Sequence, residues 1–564
     1  MKKLINETRN VVREMLEGLV LSSPRLALLE GETVVLRNDI PTEPARRAVS
    51  IISGGGSGHE PAHAGYVGAG MLSAAVAGDV FTSPSTDAVA MAIRATSGPA
   101  GCVLVVKNYT GDRLNFGLAA EIARSEGIPV EVVVVADDAS LRETVQRDRR
   151  RGIAGTVLVH KVAGAAASEG RPLEAVAKAA RSTADAVVTM GVGLGACTVP
   201  AAGTPGFALA SDEIEFGLGI HGEKGVLRSK LKNADEIVDE MLAVLVDEMG
   251  AHGNTGIALL VNGLGATPPM ELAIVTRRAM AYLARRGVSV TRSWTGQFMT
   301  ALEMPGCSLT LLPLDEDRAA LIDAPTQASA WSGDGHVTGR VTTVPSPALA
   351  SDFFSGSESV KATAPALAQM RRVTLDIASA LEAAESELTE LDAKAGDGDL
   401  GASLVRGATA IRALPDAAFS EPRTLLFTLG NRLRREIAGS SGPFYATALI
   451  RAAEQLSGVV EPDEADWRRA FASGIAAIAE IGGAKPGDRT MLDALAPALE
   501  AWRKGRWDDA VDAARKGAEA TAEMHPRLGR ASYIGTRAIG VPDGGAVAVS
   551  RWMTAIDQAL RGDR

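Results

Sequence analysis

Short runs rich in valine and isoleucine recur through the first 312 residues of this chain and all but vanish after residue 364. A chain divided in this way cannot fold as one uniform architecture. The runs at 48–52, 101–106, 130–135, 156–160 and 186–189 are bounded by Gly, Asp or Asn, and read as strands. Ala-rich stretches at 85–96 and 115–126 are long enough to be crossover helices, so the alternation predicts an α/β layer structure with largely parallel strands. A second α/β unit is expected from strands at 255–261, 289–293 and 308–312 and helices at 234–249 and 270–286. From residue 332 to 364 the chain is dominated by Ser, Gly, Thr, Pro and Ala without a steady period, which marks a linker. Beyond it, 365–391, 400–413, 422–437, 442–456, 463–481, 490–504 and 507–523 carry helical periodicity, with Pro365 suited to a first turn. The expected fold is multidomain: two α/β subdomains followed by an all-α domain.

At 564 residues the chain is too long for a single core, which agrees with that division. A net charge of −10 disfavours nucleic acid and anionic membrane as partners, while leaving room for a local positive pocket that takes a phosphorylated ligand. Cys102, Cys197 and Cys307 are far apart and lack metal-ligand spacing, so they read as reduced thiols of a cytosolic protein. The start is polar without a signal-peptide core, and no run of about 18 apolar residues occurs. The expected location is the cytoplasm.

The loops of the helical part share one chemistry. Asp392, Asp397 and Asp399 crowd three carboxylates into eight residues, two of them in a glycine turn that ends a helix. Such like charges repel unless a cation sits between them, and hard oxygen ligands on a short loop suit Mg²⁺. Ala438-Gly439-Ser440-Ser441-Gly442-Pro443 precedes a helix, where N–H groups and hydroxyls can receive a phosphate. A glycine-rich loop runs from Gly482 to Thr490, and Gly529-Arg530-Ala531-Ser532-Tyr533 is followed by Pro542-Asp543-Gly544-Gly545. Taken singly, each is an ordinary cap or turn. Together they supply carboxylates, amides and guanidinium, the parts that phosphoryl transfer needs, without any Walker A sequence.

In the α/β part, Gly54-Gly55-Gly56-Ser57-Gly58-His59-Glu60-Pro61 follows a strand, but its spacing is not that of a dinucleotide fingerprint. His59-Glu60-Pro61-Ala62-His63 matches the zinc-protease pattern in letters only, because Pro61 keeps His59 out of a regular helix. Lys107 to Asn115 lies at a strand C-terminus, where α/β sheets place ligands. His221, between Gly219 and Gly222, presents an accessible imidazole to a small molecule.

These segments together resemble the single-chain, ATP-dependent dihydroxyacetone kinase family. The similarity is carried by GGGSGHEPAHAGYVG, KNYTGDRLNFGLA, RGIAGTVLVHKVAG, GLGIHGEKG, LDAKAGDGDLG, AGSSGP, AKPGDRTMLDAL and GRASYIG, in that order. The resemblance implies a K-type ketose-binding domain over 6–328, a linker over 329–364 and an L-type helical barrel over 365–562. It implies that His221 holds the ketone as a covalent hemiaminal, which a carbonyl permits and an alcohol such as glycerol does not. It implies that Gly56, Ser57, Gly58, His59, Lys107 and Asp112 bind the substrate, and that Asp112, or His59 with it, takes the proton from the attacking hydroxyl. Asp392, Asp397 and Asp399 would hold two Mg²⁺ ions on ATP. Leu400, Gly401, Ala402, Ser403, the loops Gly439-Ser440-Ser441-Gly442 and Gly487-Asp488-Arg489-Thr490, Arg530 and Asp543 would hold the rest of the nucleotide.

The same resemblance implies a homodimer with exchanged domains. Fusion of both domains on one chain resembles the ATP-using branch, since relatives that take phosphate from a transport phosphoprotein normally have separate polypeptides. Departures include Leu400 after the aspartates, Ala438, Gly544, and Lys224 where proline is usual; Lys224 bears on which ketose is used. The expected activity is ATP-dependent phosphorylation of dihydroxyacetone. The alternatives are a kinase for erythrulose or glyceraldehyde, an FMN cyclase side activity, or a non-catalytic ketone sensor.

Overall fold

The computed structural model describes residues 2–250, 256–345, 363–437 and 439–562. The expected strand residue Thr255, most of the expected linker (346–362) and Ala438 lie outside the described residues. The chain divides into two compact units, 1–345 and 346–564.

The first unit contains two six-stranded sheets. In chain order the first sheet has β1 (Leu26–Leu28), β2 (Val34–Arg37), β3 (Ser50–Ser57), β4 (Ala74–Val80), β5 (Cys102–Lys107) and β6 (Val130–Val135), arranged β1-β2-β4-β3-β5-β6. β4, β3, β5 and β6 run parallel, whereas β1 and β2 pair antiparallel at one edge. The helices Thr86–Thr96 and Thr110–Ser125 bury an Ala- and Val-rich face with one side of this sheet. Thr156–Ser168 and Leu173–Ala186 pack into the cluster on its other side. Burial on both faces explains why the central strands read as continuous apolar runs.

The second sheet has β7 (Val188–Gly193), β8 (Glu213–Phe216), β9 (Leu227–Lys230), β10 (Ile257–Gly263), β11 (Val290–Gly296) and β12 (Gly306–Pro313), in the order β11-β10-β12-β7-β8-β9. Only β10 and β11 pair in parallel; every other neighbour is antiparallel. The expectation of largely parallel strands therefore fails for this half. Its consequence is local: β8 and β9 form a hairpin, and residues 217–226 between them are the loop that carries His221.

The expected strand at 156–160 is instead the start of the helix Thr156–Ser168. Residues 156–167 are all buried, so this helix has no polar face to reveal its period, and its β-branched start imitates a strand. Its entry is fixed by the buried Asp137, whose carboxylate accepts the N–H of Ile153 (2.7 Å) and of Gly155 (2.8 Å).

The second unit is all-helical among its described residues. Eight helices close a ring in which each packs on the next and the last on the first. They are Ala364–Ala383, Leu400–Arg412, Pro422–Glu436, Ser441–Gln455, Glu464–Gly482, Leu492–Lys504, Trp507–Ala520 and Gly544–Arg561. The ring encloses an apolar cavity of about 710 Å³ lined by residues such as Leu404, Leu433, Phe471, Trp502 and Trp552. The expected single helix 365–391 is broken at Ala384, and Glu385–Ala395 continues as a separate helix that leads into the aspartates. The closing helix 544–561 begins in a glycine pair and was not foreseen. No helix among the described residues is long and apolar enough to cross a membrane, and all three cysteines are buried and unpaired.

Candidate active site

In the first unit the site is built where β3 and β5 end. His59 follows β3 and is fully buried. Its Nδ1 donates to the Thr300 carbonyl at 2.7 Å, and its Nε2 lies 3.1 Å from Nε2 of His221. His221 Nδ1 in turn faces Glu223 Oε1 at 2.9 Å, and the same carboxylate takes the His221 N–H. A carbonyl and a carboxylate both require a hydrogen on the nitrogen facing them. The two Nε2 atoms then need one proton between them, because opposed lone pairs repel. Burial, together with the charges of Lys107 and His221, holds His59 well below the usual histidine range. Burial pushes Glu223 upward, but the hydrogen bond and charge of His221 outweigh it and hold that carboxyl at about 2.

Two aromatic rings flank the histidine pair. Phe81 stacks on His59 with centroids 5.1 Å apart and meets His221 edge-on at 5.1 Å. Tyr109 meets the other side of His221 at 4.7 Å. Lys107, at the end of β5, and Asp112, in the first turn of Thr110–Ser125, are both buried. Lys107 Nζ and Asp112 Oδ1 have no hydrogen-bond partner within the protein. Buried polar atoms are normally paired, so an orphaned cation and carboxylate oxygen point to an absent polar molecule. Gly55 makes this possible: at φ +151 its missing Cβ would lie 3.0 Å from Lys107 Nζ and 3.4 Å from Asp112 Oδ2.

Two of the residues expected to bind substrate also make hydrogen bonds within the protein. The Ser57 hydroxyl turns to the Gly78 carbonyl at 2.8 Å, and the Gly58 N–H is held by the Glu60 carboxylate at 3.0 Å. Gly56 serves by its lack of a side chain, since a Cβ would meet the backbone of Phe81 and Thr82. These residues form a close-packed floor beside His59. The zinc-protease pattern also dissolves: His63 Nδ1 pairs with His160 Nε2 at 3.0 Å, away from the His59–His221 contact.

In the second unit, carboxylate oxygens of Asp392, Asp397 and Asp399 lie within 4.8 Å of one another. Asp392 Oδ2 accepts the N–H of Asp399 (2.9 Å) and Leu400 (3.2 Å), which folds the turn back on the helix that precedes it. Asp397 and Asp399 are exposed, and Asp397 pairs with Arg530. Three hard oxygen donors converging beside a single guanidinium fit Mg²⁺ by number and kind. Gly401 and Ser403 are buried in the helix Leu400–Arg412, Ala402 is exposed, and Leu400 lies against Gly544. Gly439 and Ser440 are exposed at the start of Ser441–Gln455, and Gly442 packs against Ile437. Asp543 caps Gly544–Arg561 by accepting the Ala546 N–H at 2.8 Å. Burial and the nearby Asp493 and Asp392 push its carboxyl up to about 6, against the pull of that hydrogen bond and Arg489.

The 487–490 loop differs from the expected phosphate cradle. The N–H groups of Gly487 and Thr490 both point to the Asp493 carboxylate, and Asp488 accepts the Lys485 N–H at 2.9 Å. Arg489 is buried and its guanidinium faces backbone carbonyls. Asp493, the second residue of the helix Leu492–Lys504, thus takes two of the loop's donors. Sequence reasoning also missed Glu223, Tyr109, Phe81, Thr300 and Glu60. Glu223 and Tyr109 lay inside blocks already singled out, whereas Phe81 and Thr300 carry no local signal.

A Dak1 domain model matches residues 17–330, and a DAK2 domain model matches residues 394–558. The chain is 43% identical over 583 residues to the triokinase/FMN cyclase of Homo sapiens, covering 99% of each. It is 35% identical over 567 residues to the D-erythrulose kinase of Mycolicibacterium smegmatis, covering 98% of this chain and 97% of that one. The crystal structure of the dihydroxyacetone kinase from C. freundii in complex with AMP-PNP and Mg²⁺ matches with a TM-score of 0.65 at 36% identity, covering 99% of both chains. Fold and site thus define a class of kinases that join an α/β domain to a helical one. The chain belongs to the dihydroxyacetone kinase and triokinase family of ATP-dependent kinases.

Proposed function

We propose that this enzyme transfers the terminal phosphoryl group of ATP to a hydroxymethyl group of dihydroxyacetone. The observation that carries the reading is the line Thr300–His59–His221–Glu223, with the orphaned Lys107 and Asp112 beside it. His221 Nε2 gives its proton to His59, forms the bond to the ketone carbon, and the carbonyl oxygen takes the proton from His59. Charge is conserved, because the alkylated imidazolium keeps its Nδ1–H on Glu223. An alcohol such as glycerol offers no carbon for this addition. The adduct's free hydroxyl then attacks the phosphorus, and Asp112, whose Oδ1 has no partner within the protein, takes its proton.

Asp392, Asp397 and Asp399 would hold Mg²⁺, which when bound offsets charge on the phosphate oxygens. Arg530, the exposed start of Ser441–Gln455 and the Leu400–Ser403 turn would face the nucleotide. Residues 6–328 are assigned to ketose capture and 365–562 to the nucleotide, in a homodimer with exchanged domains that sedimentation of the purified chain can test. Relatives of similar identity are named for different acceptors, and the D-erythrulose kinase at 35% identity favours a four-carbon ketose as the second reading. Initial rates with ATP and Mg²⁺ on dihydroxyacetone, erythrulose and glyceraldehyde decide between them. Preference for erythrulose replaces the first reading with the second, and no turnover on any of the three overturns both.

A further inference from the structure

Among the described residues, three that are not glycine have left-handed backbone: Phe81 (φ 59), Leu302 (φ 56) and Arg489 (φ 63). Such backbone persists only where the surroundings over-determine it, commonly at functional sites. Phe81 and Leu302 both press on Gly58 beside the histidine pair. Arg489 stands in the helical unit, in a loop whose own donors are spent internally.

Arg489 is 1% exposed and is held by its guanidinium. Nε donates to the Thr521 carbonyl (3.2 Å), and Nη2 donates to the carbonyls of Ala538 (3.1 Å) and Val541 (2.8 Å). Nη1 is buried as well and has no hydrogen-bond partner within the protein. The three acceptors are the two stems of one segment. Residues 522–541 leave at Thr521 and return at Val541, next to the N-cap Asp543. The stems are joined by Gly540 N–H to the Ala522 carbonyl and by Asp543 N–H to Thr521 Oγ1, each at 2.8 Å. The segment's exposed turn carries Arg530, which pairs with Asp397. One buried guanidinium therefore ties the 484–490 loop to both ends of the segment that brings Arg530 to the aspartates.

We propose that Arg489 is a positioning residue for phosphoryl transfer: it clamps both stems of the 522–541 segment and thereby sets where Arg530 meets the nucleotide phosphates. The inference rests on the reading of the aspartate cluster as the nucleotide end. A planar fork serves carbonyls from residues 521, 538 and 541 from separate nitrogens in fixed geometry, whereas a lysine's donors sit on one nitrogen at the end of a flexible stem. Small misplacements of a group that acts on the reacting phosphate cost on the order of 100-fold.

The test is a double-mutant cycle of Arg489→Lys and Arg530→Ala in the full chain, with kinetics at varied ATP. Arg489→Lys is expected to lower kcat/KM for ATP on the order of 10- to 100-fold, with the ketose KM unchanged. In the Arg530→Ala background the same change is expected to cost less than about threefold, since coupled groups are non-additive. Activity of Arg489→Ala is expected to recover in part with added guanidinium and not with methylammonium; if that variant fails to fold, the lysine variant carries the cycle. The proposal is overturned if Arg530→Ala is impaired while Arg489→Lys is normal, or if the two losses multiply. If Arg530→Ala turns over ATP normally, the nucleotide reading of that loop fails first, and this inference with it.

Discussion

The candidate sites of the two units solve opposite electrostatic problems. Around His221 the working groups are enclosed: His59 and Lys107 are fully buried and Asp112 is 3% exposed. Around Asp397 they are open, with the Asp397 and Arg530 side chains 44% and 58% exposed. In the first half, aromatic walls and three consecutive hydrogen bonds fix protons before any ligand arrives. In the second, like charges sit on a glycine turn in water, where salt screens them and an ion is needed to draw them together. Covalent capture of a ketone needs fixed proton positions, whereas holding a phosphate-bound metal needs unspent charge. The difference in burial fits the two roles proposed above.

That contrast can be broken from either side. Replacing His221 by Ala removes the ring proposed to add to the ketone, and turnover is expected to fall on the order of 1,000-fold or more. ATP-dependent stabilisation of the helical unit should persist in this variant, and its loss in thermal melts would show that the halves are not separable. Asp397→Ala is expected to lower turnover on the order of 100-fold while leaving ketone capture intact. Unchanged steady-state rates would remove the carboxylate from the metal set. Glu223→Gln keeps the shape of the His221 contact but loses its charge, and is expected to cost on the order of 10-fold in kcat/KM for the ketose, the scale of one charge-assisted hydrogen bond. A normal value would mean that Glu223 only shapes the loop.

A smaller, pH-linked effect sharpens the comparison. Burial holds His59 and His63 well below the usual histidine range and His160 at about 3. Their folded values lie below the unfolded one, so the unfolded chain binds more protons and stability falls as pH drops below about 6.5. At pH 5.5 each such group costs about 1.4 kcal/mol, about 4 kcal/mol for the three. His160→Gln is expected to reduce this loss by about one third in urea titrations at pH 7.5 and 5.5. An unchanged pH dependence would mean that His160 is not neutral in the folded state.

Much of this was legible in the sequence because it is local. The glycine loop before His59, the aspartates on their turn and the loss of strand patterning after residue 364 each lie within short windows. What was hidden depends on distance or on competition. The acceptor for His59 is Thr300, 241 positions away, and no window connects them. The Thr156–Ser168 helix lost its period by being buried on every side. The family resemblance implies a nucleotide contact at Arg489. The buried carbonyls of Thr521, Ala538 and Val541 claim it first, just as Asp493 claims the loop amides.

Carbon-13 NMR of dihydroxyacetone labelled at its ketone carbon, mixed with protein in the absence of ATP and Mg²⁺, addresses the histidine chemistry without the nucleotide half. The label should move from a trigonal to a tetrahedral resonance with the wild-type protein and with Asp397→Ala, and stay trigonal with His221→Ala. A label that remains trigonal in the wild-type complex at saturating protein would contradict covalent capture by His221.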